Sequence, residues 1–438
     1  MLTLTRALPA LTLALLAAAC GDDRGDDDAG IRDAGAGDAA IADAGLDAGA
    51  GDAGPQRCED ALREARFALD PDGPRTQIHP VARWDGEAIW VVYVRPEPGG
   101  GDFDVWATRV GCGGESLVAP FLVQEAPEGN DIDPELAIAG DAMLVAWQTD
   151  DGTGGTDNLQ IRYRLFDREG TPRSGDRTLH SLRMGAPITD NHMMPKLAVT
   201  PDGDFVVAGI RAVEEVGRFA AFAQPLSASG DLVGDALEPG PEMEVTQSNV
   251  AVAVTPDGTV WLTWDRQPDM GASETWMRSF GGDTSERVLD GLDTSAGSDV
   301  IATDDAVYAA FTGETAIGTD LRLVALSASP RGATTVGTTT VGTARRVESS
   351  PRWAQGPDGQ LALAFFRQIR GFTMELLAVS VTPGSPPTAA EPVLVQGSPG
   401  VPAYQPALTH VSGDWWFLAH AEGDSPDFRL IGRFVELP

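Results

Sequence analysis

The chain is poor in the residues that most often carry chemistry. Among 438 residues there are three cysteines, five histidines and four tyrosines. The histidines are scattered without metal-ligand spacing, and no H-E-x-x-H, G-x-S-x-G or glycine-rich phosphate loop occurs, so nothing here signals a zinc peptidase, a serine hydrolase or a phosphate cradle. Basic residues are also scarce. Against 65 acidic side chains stand 31 basic ones, a formal charge of -34, which argues against nucleic acid as a partner because phosphate binding needs a basic face that releases counterions. Such acidity serves solubility first, and an acidic patch for cations or a basic partner second. What is abundant is glycine and proline, 51 and 31 residues. They suit a globular protein of short strands and many turns.

The N-terminus opens MLTLTRALPALTLALLAAAC, with one basic residue, Arg6, then an apolar run from Ala7 to Leu16 and three alanines before Cys20. The run is too short to span a bilayer and reads as a secretory signal. Leu16-Ala17-Ala18-Ala19-Cys20 resembles the lipobox of bacterial lipoproteins, with one alanine more than usual. That resemblance implies an acylated Cys20 as the mature N-terminus and a membrane reached through its lipid, at the outer membrane or cell surface. From Gly21 to Gly54 the sequence is almost wholly Gly, Asp and Ala in a D-A-G pattern, with Ile31, Ile41 and Leu46 as the large aliphatics. It cannot bury enough apolar surface to offset its ordering entropy and is expected to be a disordered acidic tether of roughly 30 Å root-mean-square span. The expected domains are therefore a signal peptide at 1–19, the lipidated cysteine and linker at 20–54, and one folded domain at 55–438.

In that domain a hairpin signal recurs between apolar strands: RWDGEAIWVVY around Gly86, AIAGDAMLVAW around Asp141, AVTPDGDFVVAG around Gly203, AVTPDGTVWLTW around Gly258, IATDDAVYAAF around Asp305, AQGPDGQLALAF around Gly359 and THVSGDWWFLAH around Asp414. The centres lie 47 to 62 residues apart, the period of a propeller blade or slightly more. Asp-Gly and Gly-Asp pairs supply the positive φ that tight hairpins need. A proline often opens the inner strand, as at Pro80, Pro134, Pro195, Pro351 and Pro406, where it breaks no ladder hydrogen bond. The pattern resembles β-propellers with P-D-G hairpins and predicts an all-β, seven-bladed β-propeller with four-stranded blades. The last repeat ends one strand short, so the segment Ala65–Leu69 is expected to close the ring and remove an edge. With Cys20 acylated, Cys58 and Cys112 remain, and a secreted protein favours pairing them.

The loops entering the inner strands bring His79, Asn130, Asp131, Asp133, Asp190, Asn191, His192, Asn249, Asp299, Glu348, Tyr404 and Gln405 toward one face. The loops after the second strands bring Arg95, Asp150, Asp151, Asp157, Arg211, Asp265, Arg266, Glu314, Arg367, Arg370 and Asp424 to the same face. His79, Asp131, Asp133, Asp190, His192 and Arg367 are the expected binding face, because variable loops on a rigid scaffold carry specificity. No cofactor is expected; Asp150-Asp151 with Asp157-Asn158 could hold calcium, although they equally suit an ordinary turn. The tryptophans fall mostly in apolar strands and are expected to pack blades, with Trp276 and Trp353 the ones that could stack on a sugar. Sialidase-like glycosidases are the enzymatic relatives to weigh, but the S-x-D-x-G-x-T-W box is missing from every hairpin. The sequence therefore favours a monomeric, surface-anchored, non-enzymatic module binding a protein or glycan, with an extracytoplasmic polysaccharide hydrolase or lyase as the alternative.

Overall fold

The structure, a computed structural model, describes residues 66–437 except 98–100, 126–128, 151–158, 188–190, 214–216, 240–244, 269–272, 281–285, 288–293, 316–317, 328–334, 342–346, 358, 371–372, 398–405 and 425–426. The chain divides into two units, Met1–Gln56 and Arg57–Pro438, and the account below concerns the second. The expected signal, Cys20, the linker and Cys58 lie outside the described residues. Cys112, partly buried beside blade 1, is disulfide-bonded, and its pairing with Cys58 stays a proposal.

Seven antiparallel blades follow one another along the chain. Their inner strands are Ile78–Trp84, Asp131–Ala139, His192–Val199, Val245–Val254, Thr294–Ala302, Val347–Gln355 and Ala407–Ser412, numbered here as blades 1 to 7. Each inner strand packs against the inner strands of the blades before and after it, which closes a ring around a central channel. Blade 1 shows the full pattern, continuing through Ile89–Pro96, Phe103–Val110 and Ser116–Leu122. Blade 3 replaces its fourth strand by two isolated bridges, Ala223 to Leu237 and Leu226 to Leu232. The turns after the inner strands of blades 3 and 4 place Gly203 and Gly258 at φ of +85° and +86°, a conformation that a Cβ would strain.

The second strands are apolar on both faces because each blade is covered on both sides. Ile89–Val94 and Ala142–Trp147 are buried throughout. The core is accordingly divided into seven clusters, one at each seam between neighbouring blades. Trp90, Trp147, Trp261, Trp264 and Trp416 are fully buried in these seams, and truncating any of them to alanine would cost about 3–5 kcal/mol.

Blade 7 is completed from the other end of the folded unit. Arg66–Ala68 pairs antiparallel with the strand Asp427–Glu436, Arg66 opposite Arg433 and Ala68 opposite Ile431. The turn that follows is pinned to blade 1: Asp70 accepts hydrogen bonds from the Tyr93 hydroxyl at 2.6 Å and from Arg95, and Gln77 Nε2 donates to the Asp70 carbonyl at 2.9 Å. Burial and the neighbouring Asp70 carboxylate push the Tyr93 hydroxyl far above its ordinary range.

Candidate functional site: the charged channel

Each of the first six inner strands carries a bulge at the same place. Pairing skips a residue between Ile78 and Val81, Ile132 and Glu135, Met193 and Lys196, Ser248 and Ala251, and Ser349 and Arg352, with a longer skip from Thr294 to Ser298. His79, Asp133, Met194, Asn249 and Ser350 occupy the bulge at φ between +48° and +58°. A left-handed residue outside glycine stores strain of about 1–3 kcal/mol, but its recurrence in five blades marks it as part of the scaffold. What differs between blades is the side chain each bulge presents.

In blades 1 and 2 those side chains meet. His79 Nδ1 lies 3.1 Å from Asp133 Oδ1, and both side chains are about 30% exposed, at 30% and 28%. Burial alone would push the Asp133 carboxyl up; the hydrogen bond from His79 and the charges of Lys196 and Arg352 outweigh it and hold the group below the usual carboxylate range.

Those last two cations belong to a second layer of charge, set immediately after the prolines. Glu135, Lys196 and Arg352, each directly following a proline, line the channel together with Arg83 and Asp299, around a cavity of about 350 Å³. Lys196 Nζ donates to Glu135, and Arg352 Nη2 reaches across the channel from blade 6 to the same Glu135 Oε1 at 3.2 Å. Burial would raise Glu135, but Lys196 and Arg352 overcome it and hold it low. Among the described residues, Asp299 has no such cation in hydrogen-bond contact. Its Oδ2 accepts the Trp353 backbone N–H at 2.8 Å and its Oδ1 the Val300 N–H at 3.0 Å, and burial pushes its carboxyl up against the opposing charge of Arg352. Burial pushes Lys196 down, helped by the Arg352 charge.

Three members of the expected binding face are elsewhere. Asp131, His192 and Arg367 do not reach the solvent-facing mouth; they are built into the seams. Asp131, 2% exposed, accepts from Gln124 Nε2 at 2.8 Å, and the same amide donates to Asp104 of blade 1 at 2.9 Å. Burial pushes Asp131 up to about 7 and Asp104 up to about 6. His192 Nε2 meets Ser181 Oγ at 2.8 Å, and its ring stands edge-on to Phe222. Arg367 pairs with Glu348 at 3.0 Å, and Glu348 in turn accepts the Leu321 N–H of blade 5 at 3.1 Å. Gln77 and Gln247 make the same reach to the preceding blade, accepting the N–H of Leu430 and of Ala221. These groups are a repeated polar hook between blades.

The expected arginines are likewise paired with acids, Arg95 with Asp70, Arg211 with Glu238 and, within blade 4, Arg266 with Glu274. Asn249 donates to Asp265 at 2.8 Å, and Asn130 to Asp150. Asp150 thus serves the turn; Asp151, Asp157, Asp190, Tyr404 and Gln405 lie outside the described residues, as do the side chains of Glu314, Arg370 and Asp424. Trp276 donates to Glu274 at 2.9 Å with Arg266 over its ring, whereas Trp353 is 7% exposed in the channel wall.

No family model and no curated protein matches the sequence. Solved structures do resemble the fold. An ulvan lyase of polysaccharide lyase family PL25, bound to -[GlcA(1-4)Rha3S]-, superposes with a TM-score of 0.55 at 12% identity over 85% of this chain and 96% of its own. The polysaccharide lyase Uly1 gives 0.50 at 10% identity, covering 85% and 91%. A protein of unknown function from Dyadobacter fermentans gives 0.53 at 11% identity, covering 86% and 99%. At these identities the likeness is one of fold.

Proposed function

We propose that the chain is an extracytoplasmic polysaccharide-cleaving enzyme, a lyase or hydrolase, that works at the channel mouth. The observation that carries this reading is the His79–Asp133 pair, a half-buried imidazole held by a carboxylate beside a cationic layer. An imidazole held through Nδ1 by a carboxylate is oriented to pass a proton at its other ring nitrogen, which suits a general base or acid toward a sugar. Lys196 and Arg352 supply positive charge where negative charge would develop on the substrate. The polysaccharide lyases that share the fold support cleavage over the purely binding role that the sequence favoured.

In this reading His79 is the catalytic residue and Asp133 the residue that positions it. Cys20 carries the lipid, the Asp/Ala/Gly segment holds the domain off the membrane, and a Cys58 to Cys112 disulfide ties the closing segment to blade 1. Cys20→Ser is expected to move the protein from the membrane to the soluble fraction. The activity test incubates the full chain with a panel of acidic and neutral polysaccharides, reading new reducing ends and the ultraviolet absorbance of an unsaturated product. Wild type is expected to cleave at least one, and His79→Ala to lose about a hundredfold or more. Binding without cleavage across the panel returns the non-enzymatic reading.

A further inference from the structure

We propose that Arg83 is an anion-recognition residue and that the group the channel cavity takes carries a carboxylate or sulfate. The proposal deepens the reading above by naming what the cavity recognises, and it rests on how the channel charges are used. Glu135 is shared by Lys196 and Arg352, Asp133 is held by His79, and Asp299 is occupied by two backbone N–H groups. Arg83 is left over. Its Nη1 donates to the Ala82 carbonyl at 2.8 Å, and among the described residues no carboxylate lies within ion-pair distance of its guanidinium. The arginines of the seams, Arg95, Arg211 and Arg367, are each paired with an acid.

Arg83 shares its cavity with the charged groups Glu135, Lys196, Asp299 and Arg352 and with a wall of small residues. Ala198, Ala253, Ala302 and Ala354 come from four different blades into the wall of the same cavity, with Thr409 beside them. Burial there pushes Arg83 below its ordinary range, a cost that the charges of Glu135 and Asp299 offset in part. A guanidinium with unused N–H groups beside open volume matches two acceptor oxygens in one plane, which a carboxylate or sulfate presents. At about 350 Å³ the cavity is near the small end of ligand sites, a size for one sugar unit or a small anion.

The test uses isothermal titration of the full chain at neutral pH with four probes: glucuronate, glucose, acetate and inorganic sulfate. Glucuronate and glucose differ only in the carboxylate, so the expected result is binding of glucuronate about tenfold or more tighter than glucose. Arg83→Gln is expected to remove that preference and Arg83→Lys to keep part of it. Acetate and sulfate separate the sources: glucuronate tighter than both assigns a sugar acid, and equal affinity assigns any small anion. Equal binding of glucuronate and glucose by wild type, or undiminished glucuronate binding by a folded Arg83→Gln, overturns the proposal. The wild-type comparison decides even if the variant does not fold. Cleavage of neutral polysaccharide with no anion preference would sink this inference alone, whereas anion binding without any cleavage would sink the enzymatic reading alone.

Discussion

Asp131 and Asp133 stand two residues apart on one strand and are put to opposite uses. Asp131 is sealed in the seam with blade 1 and shares an amide donor with Asp104, while Asp133 is part exposed and pairs with His79. His192 and Met194 repeat the contrast in blade 3, as do Glu348 and Ser350 in blade 6, the first of each pair reaching the preceding blade and the second at the bulge. The bulge causes the difference, because one extra residue shifts the alternation of side chains along the strand. A propeller can therefore keep a uniform layer of hooks beside a variable layer of presented groups. Polar groups of the seam hold blades together; those at the bulges change from blade to blade.

The largest expected effect lies on the seam side. Asp70→Ala would strip the buried Arg95 and the Tyr93 hydroxyl of their shared acceptor and leave a guanidinium uncompensated, which costs about 3–5 kcal/mol. Urea denaturation of wild type and variant measures it. A loss under 1 kcal/mol, on the order of an exposed pair, would show that the closing turn is not held as described.

The two histidines sharpen the comparison. His192→Ala removes a fully buried ring from Ser181 and Phe222 and is expected to cost about 2–3 kcal/mol through the unsatisfied hydroxyl and the cavity. His79→Ala, at a bulge position with its side chain 30% exposed, should move stability by less than about 1 kcal/mol while removing the activity proposed above. Reversed results, with His79 stabilising and His192 controlling turnover, would reverse the assignment of seam and site.

How much of this division could be read in advance depends on which residues signal it. The blades were legible because the hairpins repeat, and the closing segment because the last repeat lacked a strand; expected at Ala65–Leu69, it pairs over Arg66–Ala68. The bulges were not legible. They exist only in the pairing between strands, so Asp131 and His192 looked equivalent to Asp133 and His79. The charged channel layer did leave a trace that went unused: P-E-L-A, P-K-L-A and P-R-W-A place a charge after the proline in otherwise apolar strands at Glu135, Lys196 and Arg352. A charge in a buried strand demands a partner, and three at one register position point to each other.

Acid response separates the two layers further. In the seam, burial raises Asp131 to about 7 and Asp104 to about 6, above the unfolded value of about 4. The fold thus prefers these groups neutral, so their stabilisation is complete below about pH 4 and is lost as pH rises through the folded values. Asp133 and Glu135 have lowered values, and their contribution is present at neutral pH and lost only as pH falls through the ordinary carboxylate range and below. Between about pH 8 and 5 the two seam carboxyls together are expected to raise stability on acidification by on the order of 4 kcal/mol; the raised Asp299 of the channel adds to the rise, and the buried His420, held neutral, opposes it. Asp131→Asn should flatten that rise in denaturation curves taken at the two pH values; an unchanged slope would place the titrating groups elsewhere.

The smallest effect tests whether burial, and not the ion pair as such, gives the seam its strength. Arg75 and Asp427 form a pair at 2.6 Å, shorter than the 3.0 Å of Arg367 and Glu348, but their side chains are 62% and 52% exposed against 14% and 0%. In water the Coulomb gain is largely cancelled by screening and by the entropy of fixing two long side chains, so a double-mutant cycle on Arg75 and Asp427 should give about 0.5 kcal/mol or less. Removing Glu348 alone leaves Arg367 with a lost acceptor inside the seam and also frees the Leu321 N–H, which together should cost several-fold more. The two experiments probe the same chemistry at different depth. A coupling of 2 kcal/mol or more at the exposed pair, far above the usual surface value, would mean that charge pairing at the rim, and not the buried hooks, holds adjoining blades in register.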